Sequence, residues 1–198
     1  MGEAKRRVQE ITKIKNEFKT WQESLTSDEK LVAEIAIRLE ERLVRGRKFY
    51  GGCYHLAFFM THHLSLQGIN LRPVIGWVND GLWQGMTSHA WIEFNGRKTD
   101  VSLTYCDQSD VIPTGELIVH DRVIRHGKAS YTYYEHNDPA AQAGLKWMQE
   151  QSQLQAVIQK KMIEHERMRN IVANRTFKEY LENAPHGGRY SEITALIS

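Results

Sequence analysis

A thiol, an imidazole and a carboxylate follow one another in this chain as Cys53, His89 and Asp100. A thiol nucleophile needs a base to take its proton, and the base needs an acceptor that fixes its tautomer and stabilises the imidazolium. The three side chains are of the types that fill those roles. Such a set attacks a carbonyl, holds the acyl group as a thioester and passes it to water or an amine. Cys53 follows Gly51-Gly52 and opens a helical pattern that ends at Gly68. At a helix start, unpaired backbone N–H groups and the positive end of the dipole favour a thiolate.

The elements that must position these groups are a helix and a hairpin. Cys53, Leu56, Ala57, Met60 and Leu64 recur at helical spacing on one stripe, so an apolar face would anchor the helix with the thiol at its end. Asn95-Gly96 is the strongest short hairpin signal in the chain. With these two at the centre of a tight turn, Phe94 opposes Arg97, Ile92 opposes Thr99 and Trp91 opposes Asp100. One face of the hairpin then carries His89, Trp91, Glu93, Lys98, Asp100 and Ser102. The other carries Ala90, Ile92, Phe94, Thr99, Val101 and Leu103, which is a core face. His89 and Asp100 lie diagonally on the first face with backbones roughly 7–8 Å apart, a gap that long side chains close. A three-residue loop would slip the register by one and send Asp100 to the opposite face.

Around this centre, residues 3–19 read as an amphipathic helix carrying Val8, Ile11, Ile14 and Phe18. Thr26-Ser27-Asp28-Glu29 announces a second helix that stops near Gly46. Strands are expected at residues 71–78, 86–94, 97–104, 117–124 and 131–134, and helix again over 138–182. The segment 185–198, with Gly187-Gly188, reads as a loose tail.

A chain of 198 residues holds one full core, so a single domain over 1–184 is expected, with its centre at about 46–135 and helical appendages at 3–45 and 138–182. The fold class is α+β, an antiparallel sheet packed on the Cys53 helix with additional N- and C-terminal helices. Hydrophobic residues make up 41% and charged residues 25%, and the net charge of +2 gives no strong pull toward nucleic acid or a membrane. No apolar run reaches the length of a membrane span. Two cysteines, Cys53 and Cys106, make no disulfide framework and suit a reducing compartment, so a cytoplasmic location is expected.

The Gly-Gly-Cys helix start, the aliphatic strand at 71–78, the Ser88-His89-Ala90-Trp91-Ile92-Glu93 strand and the next strand bearing Asp100 resemble the transglutaminase-like superfamily of papain-like cysteine enzymes. The resemblance covers about residues 46–105. It implies Cys53 as nucleophile, His89 as general base and acid, and Asp100 as orienting group, acting on an amide or thioester of a peptide or protein substrate. Hydrolysis, as in a protease or amidase, is favoured over transglutamination because water is always available. Some relatives have lost catalysis, and the alternative is therefore an inactive transglutaminase-like module that binds protein partners through its terminal helices. Papain-like enzymes usually carry a glutamine shortly before the cysteine, where this chain has Arg47, Lys48, Phe49 and Tyr50. The Cys53 backbone N–H is then one oxyanion donor, and Tyr50 or a distant glutamine the second.

Other residues receive lesser roles. Trp83 and Trp91 are candidate walls of a substrate groove, and the glycine-flanked segment 81–85 is a lid or a surface loop. His55, His62 and His63 lack a second closely spaced ligand pair, so no metal is expected and they read as surface histidines. Cys106 reads as a core-edge residue. No cofactor is required, and no calcium loop is recognisable.

Overall fold

In the computed structural model, which describes residues 2–107 and 112–198, helices from both ends of the chain enclose an antiparallel sheet. Helix α1 spans Glu3–Ser24 and α2 spans Ser27–Leu39. The start of α2 is a capping box, in which Thr26 accepts from the Glu29 N–H while the Glu29 carboxylate accepts from the Thr26 N–H. Its last turn widens into a π-helix over Glu40–Arg45. That widening surrounds Glu40, a fully buried carboxylate that Arg45 and Arg125 neutralise.

Helix α3, Cys53–Ser65, begins directly after the two glycines. Gly51 has φ +72°, which an L side chain rarely adopts, and a Cβ on Gly52 would run into the Phe49 ring. Each glycine therefore has its own reason to precede Cys53. The helix is buried on nearly all sides, not along one stripe. Leu56, Met60 and Leu64 belong to the main core, and Phe58 on another face packs against Phe177 and Tyr180 with ring centroids 5.2 and 5.1 Å away.

The main sheet contains β1 (Arg72–Asn79), β2 (Thr87–Phe94), β3 (Arg97–Thr99) and, after a shorter hairpin, β6 (Thr132–Glu135), in the order β3-β2-β1-β6. Phe94 opposes Arg97 and Ile92 opposes Thr99, the register of a two-residue turn. Asn95 and Gly96 both have positive φ, 52° and 73°, as that turn demands. Strand β3 is shorter than the sequence pattern suggests, because the chain leaves β2 after Thr99 and Asp100 pairs with Ile118 instead, through two backbone bonds of 2.9 and 3.0 Å. The segment 117–124 is likewise two strands, β4 (Leu117–Val119) and β5 (Arg122–Arg125). His120 and Asp121, at φ 50° and 64°, form the turn between them.

The helical C-terminal region divides into α4 (Pro139–Glu150), α5 (Gln155–Asn174) and α6 (Phe177–Glu182). The expected loose tail is not loose. Residues Tyr190–Ile197 form α7, whose Ile193 and Ile197 are buried in the main core. Arg38 and Arg42 donate to the Ile197 and Leu196 carbonyls at 3.1 and 2.9 Å. Isoleucines four residues apart make a helical apolar stripe, and that stripe outweighs the glycines before it. At the other end, Trp21 of α1 packs against the main core, and Val8, Ile11 and Ile14 on the apolar face of that helix are exposed. Among the described residues no helix is long and apolar enough to cross a membrane.

Candidate active site

The β2–β3 register brings His89 and Asp100 to one face, and the bridge to β4 fixes the Asp100 backbone. His89 Nε2 lies 2.7 Å from Asp100 Oδ2. The same oxygen accepts from the Tyr133 hydroxyl at 2.7 Å. Oδ1 accepts from the Ser102 N–H at 2.9 Å and from the Ser102 hydroxyl at 2.8 Å. The carboxylate thus has four donors, as a charge only 3% exposed requires.

Burial alone would raise the Asp100 pKa, but His89, the Ser102 N–H and the Tyr133 hydroxyl bring it below the ordinary carboxylate value. For His89, burial pulls the pKa down, and the Asp100 carboxylate together with Cys53 outweighs it and raises the value to about 10. The imidazole has Asp100 on Nε2, with the Ser102 hydroxyl also 3.4 Å from that nitrogen, and the Cys53 side chain as a further hydrogen-bonding neighbour. With Nε2 taken, Nδ1 is the nitrogen left to serve the thiol. Gly52 provides no side-chain cap, so the Cys53 end of α3 keeps its N–H groups free of one.

A cleft of about 160 Å³ opens over this pair, lined by Gly52, Cys53, Tyr54, Ser88, His89 and Ser102 and also by Tyr50, Cys106 and Tyr131. Tyr50 therefore does stand at the cleft. Burial and a hydrogen bond with Cys106 push its phenol up to about 12, so its hydroxyl is engaged by Cys106.

Trp91 and Trp83 do not line this cleft, against the expectation that they would wall a groove. Trp91 is 4% exposed and lies behind the imidazole, stacked on it at 22° with centroids 6.5 Å apart. Tyr133 closes over Trp91 edge-on at 5.2 Å, and Lys98 caps Tyr133 at 3.5 Å. The hairpin pairing alone gives no sign of this cover, because Tyr133 arrives from β6, 33 positions beyond Asp100. Trp83 sits in the β1–β2 loop against Trp147 of α4, centroids 6.1 Å apart. That loop is pinned by Asn79, which accepts from the Gly81 N–H at 2.6 Å and donates to the Trp83 carbonyl at 2.9 Å.

Sequence reasoning missed Tyr133, Ser102, Tyr54 and Ser88. An Asp-x-Ser spacing is a local signal for the Ser102 bonds, since Asp side chains accept from backbone N–H groups two residues on. Tyr133 has no such signal. Of the α3 histidines read as surface residues, His55 is instead buried against the Gly188 carbonyl, while His62 and His63 are half-buried and His63 meets the Tyr190 hydroxyl at 3.1 Å. His55 and His63 hold the C-terminal segment.

Beside the cleft, His136, His165 and Glu166 have ligand atoms within 4.8 Å of one another. The Arg169 guanidinium sits on His136 Nε2 at 2.9 Å, and the facing His136 and His165 nitrogens are 3.0 Å apart. A cation among these groups opposes a metal and favours hydrogen bonding. No protein-family model, curated protein or solved structure matches the chain.

Proposed function

We propose that this protein is a cysteine-dependent acyl-transfer enzyme of transglutaminase-like type, acting on amide or thioester carbonyls, with hydrolysis as its default outcome. The observation that supports this reading is His89, buried between a fully donated Asp100 carboxylate and the Cys53 side chain at a cleft. Cys53 sulfur attacks the carbonyl carbon, and the carbonyl π pair moves onto oxygen. His89 carries the thiol proton and delivers it to the leaving amine as the C–N bond breaks, which leaves a thioester on Cys53. Neutral His89 then takes a proton from water as the water oxygen attacks the thioester, and returns it to the departing sulfur. Asp100 holds the imidazole in place throughout and stabilises its charged form.

Iodoacetamide labelling of Cys53 tests this, with Cys106→Ser in every sample so that one thiol reports. At pH 7 an unperturbed thiol is only a few per cent ionised, so loss of its base partner slows alkylation by about tenfold or more. The parent should react faster than the His89→Ala variant by that factor. Equal rates, or no labelling of Cys53, would sink the reading.

A further inference from the structure

Behind the cleft a single file of polar groups runs from solvent to the residue next to Cys53. Arg169 Nη1 lies 2.9 Å from His136 Nε2, His136 Nδ1 lies 3.0 Å from His165 Nε2, His165 Nδ1 lies 2.5 Å from Ser88 Oγ, and Ser88 Oγ lies 2.5 Å from the Tyr54 hydroxyl. Both rings are held neutral: burial and Arg169 lower the His136 pKa, and burial and His136 lower that of His165 to about 4.

Neutral rings and a guanidinium fix the direction of the protons in this file from Arg169 as far as Ser88. A guanidinium only donates, so His136 Nε2 accepts and its ring proton sits on Nδ1. That proton goes to His165 Nε2, which places the His165 proton on Nδ1. His165 then donates to Ser88 Oγ, which occupies one serine lone pair and leaves the Ser88 O–H to be given to the Tyr54 oxygen. With that serine proton the Tyr54 oxygen is an acceptor within the file. Apart from Ser88, the Tyr54 hydroxyl has no hydrogen-bond partner among the described residues, so in this arrangement its own O–H is left for a ligand.

Tyr54 and Ser88 both line the cleft with Cys53. We propose that the Tyr54 hydroxyl donates to the oxyanion formed when Cys53 attacks a carbonyl, beside the Cys53 backbone N–H, with its direction set by the Arg169–His136–His165–Ser88 file. This rests on the acyl-transfer reading above. The phenol keeps its proton throughout: the new S–C bond drives the carbonyl π pair onto oxygen, and that oxygen accepts two hydrogen bonds. Burial and the neighbouring Cys53 raise the Tyr54 pKa, which keeps it a neutral donor. Tyr50, the donor the sequence offers, faces Cys106 instead. Tyr54 is thus a catalytic residue in this proposal, and Ser88, His165, His136 and Arg169 are positioning residues.

Two reagents separate the donor role from a structural one. Acylation by p-nitrophenyl acetate passes through an oxyanion, whereas alkylation by iodoacetamide displaces iodide at a saturated carbon and forms none. In the full chain carrying Cys106→Ser, Tyr54→Phe should slow acylation by about 10²-fold, the loss seen for one oxyanion donor. Alkylation should stay within about twofold of the parent, since no donor acts in that reaction. Ser88→Ala, which keeps the phenol but frees its rotation, should split the two reactions in the same sense by a smaller factor, and it decides the matter if Tyr54→Phe does not fold by circular dichroism. Equal acylation by parent and variants would overturn the proposal, as would an equal loss of both reactions. If the parent itself reacts with neither reagent at Cys53, the acyl-transfer reading fails and the Tyr54 role falls with it.

Discussion

Tyr133 and His89 approach the same oxygen of Asp100, each at 2.7 Å, from strands on opposite sides of β1. The carboxylate that orients the imidazole is thus itself oriented across the whole sheet. Removing either donor leaves a buried lone pair without a partner.

Tyr133→Phe removes one donor and keeps the ring that covers Trp91. An unsatisfied buried acceptor costs about 1–3 kcal/mol, which in a domain of this size lowers Tm by roughly 2–4 °C per kcal/mol. Thermal unfolding followed by circular dichroism should register a drop of several degrees. Asp100→Asn should act differently, because it removes the charge that holds the imidazolium while leaving the shape. Alkylation of Cys53 at pH 7 should then slow by about tenfold or more, and an unchanged rate would remove Asp100 from the mechanism.

Stability should also depend on pH through His89. Its folded-state pKa is raised to about 10, above the unfolded value of about 6.5. The folded protein binds more protons than the unfolded chain across that window, so stability falls as pH rises from about 6.5 to about 10. Below the window the contribution is fully present. Comparing Tm against pH for the parent and His89→Gln isolates it, since the other titrating groups are shared. The parent should show the steeper decline between pH 7 and 10, and parallel curves would mean that no buried imidazolium exists.

The two glycines before Cys53 differ in kind and should respond differently. Gly51 has open space but a left-handed backbone, so Gly51→Ala costs about 1–2 kcal/mol of local strain. Gly52 has an ordinary φ but no room, because its Cβ would meet the Phe49 ring. Gly52→Ala must push the ring or the start of α3, and with it the Cys53 sulfur. Gly51→Ala should therefore lower Tm a little with Cys53 labelling preserved, while Gly52→Ala should slow labelling as well. Equal labelling rates in both would show that the close approach of Phe49 does not place the thiol.

What the sequence made legible is local. Asn95-Gly96 sets a register over a few residues, and that register decides that His89 and Asp100 share a face. Gly-Gly-Cys marks a helix start for the same reason. The parts that were not legible come from segments distant in sequence. Tyr133 reaches Asp100 from β6, and His165 reaches Ser88 across 77 positions. Alternation in β2 identified the face of Trp91 but not what covers it, so a tryptophan behind the imidazole read as a groove wall. Glu40 in the π-helical turn meets Arg45 locally but also Arg125, 85 positions away, which no local pattern announces.

The C-terminal helix is the sharpest case of a distant constraint, and it yields the most direct stability test. Ile193 has no exposed surface and packs in the same core as Phe59 and Leu39. Around it, the Tyr190 ring stands 5.5 Å from that of Phe59, and Glu192 accepts from the Gly187 and Arg189 N–H groups at 2.8 and 3.0 Å. A mobile tail would tolerate any substitution here. A packed isoleucine cut to alanine costs about 2–5 kcal/mol, through lost transfer energy and the cavity left behind. Ile193→Ala should accordingly shift the urea midpoint well to lower concentration with the same slope, while Ser191→Ala on the exposed side should leave it unchanged. A midpoint unmoved by Ile193→Ala would mean that α7 is not part of the folded core. It would also return residues 185–198 to the loose tail that their glycines suggested.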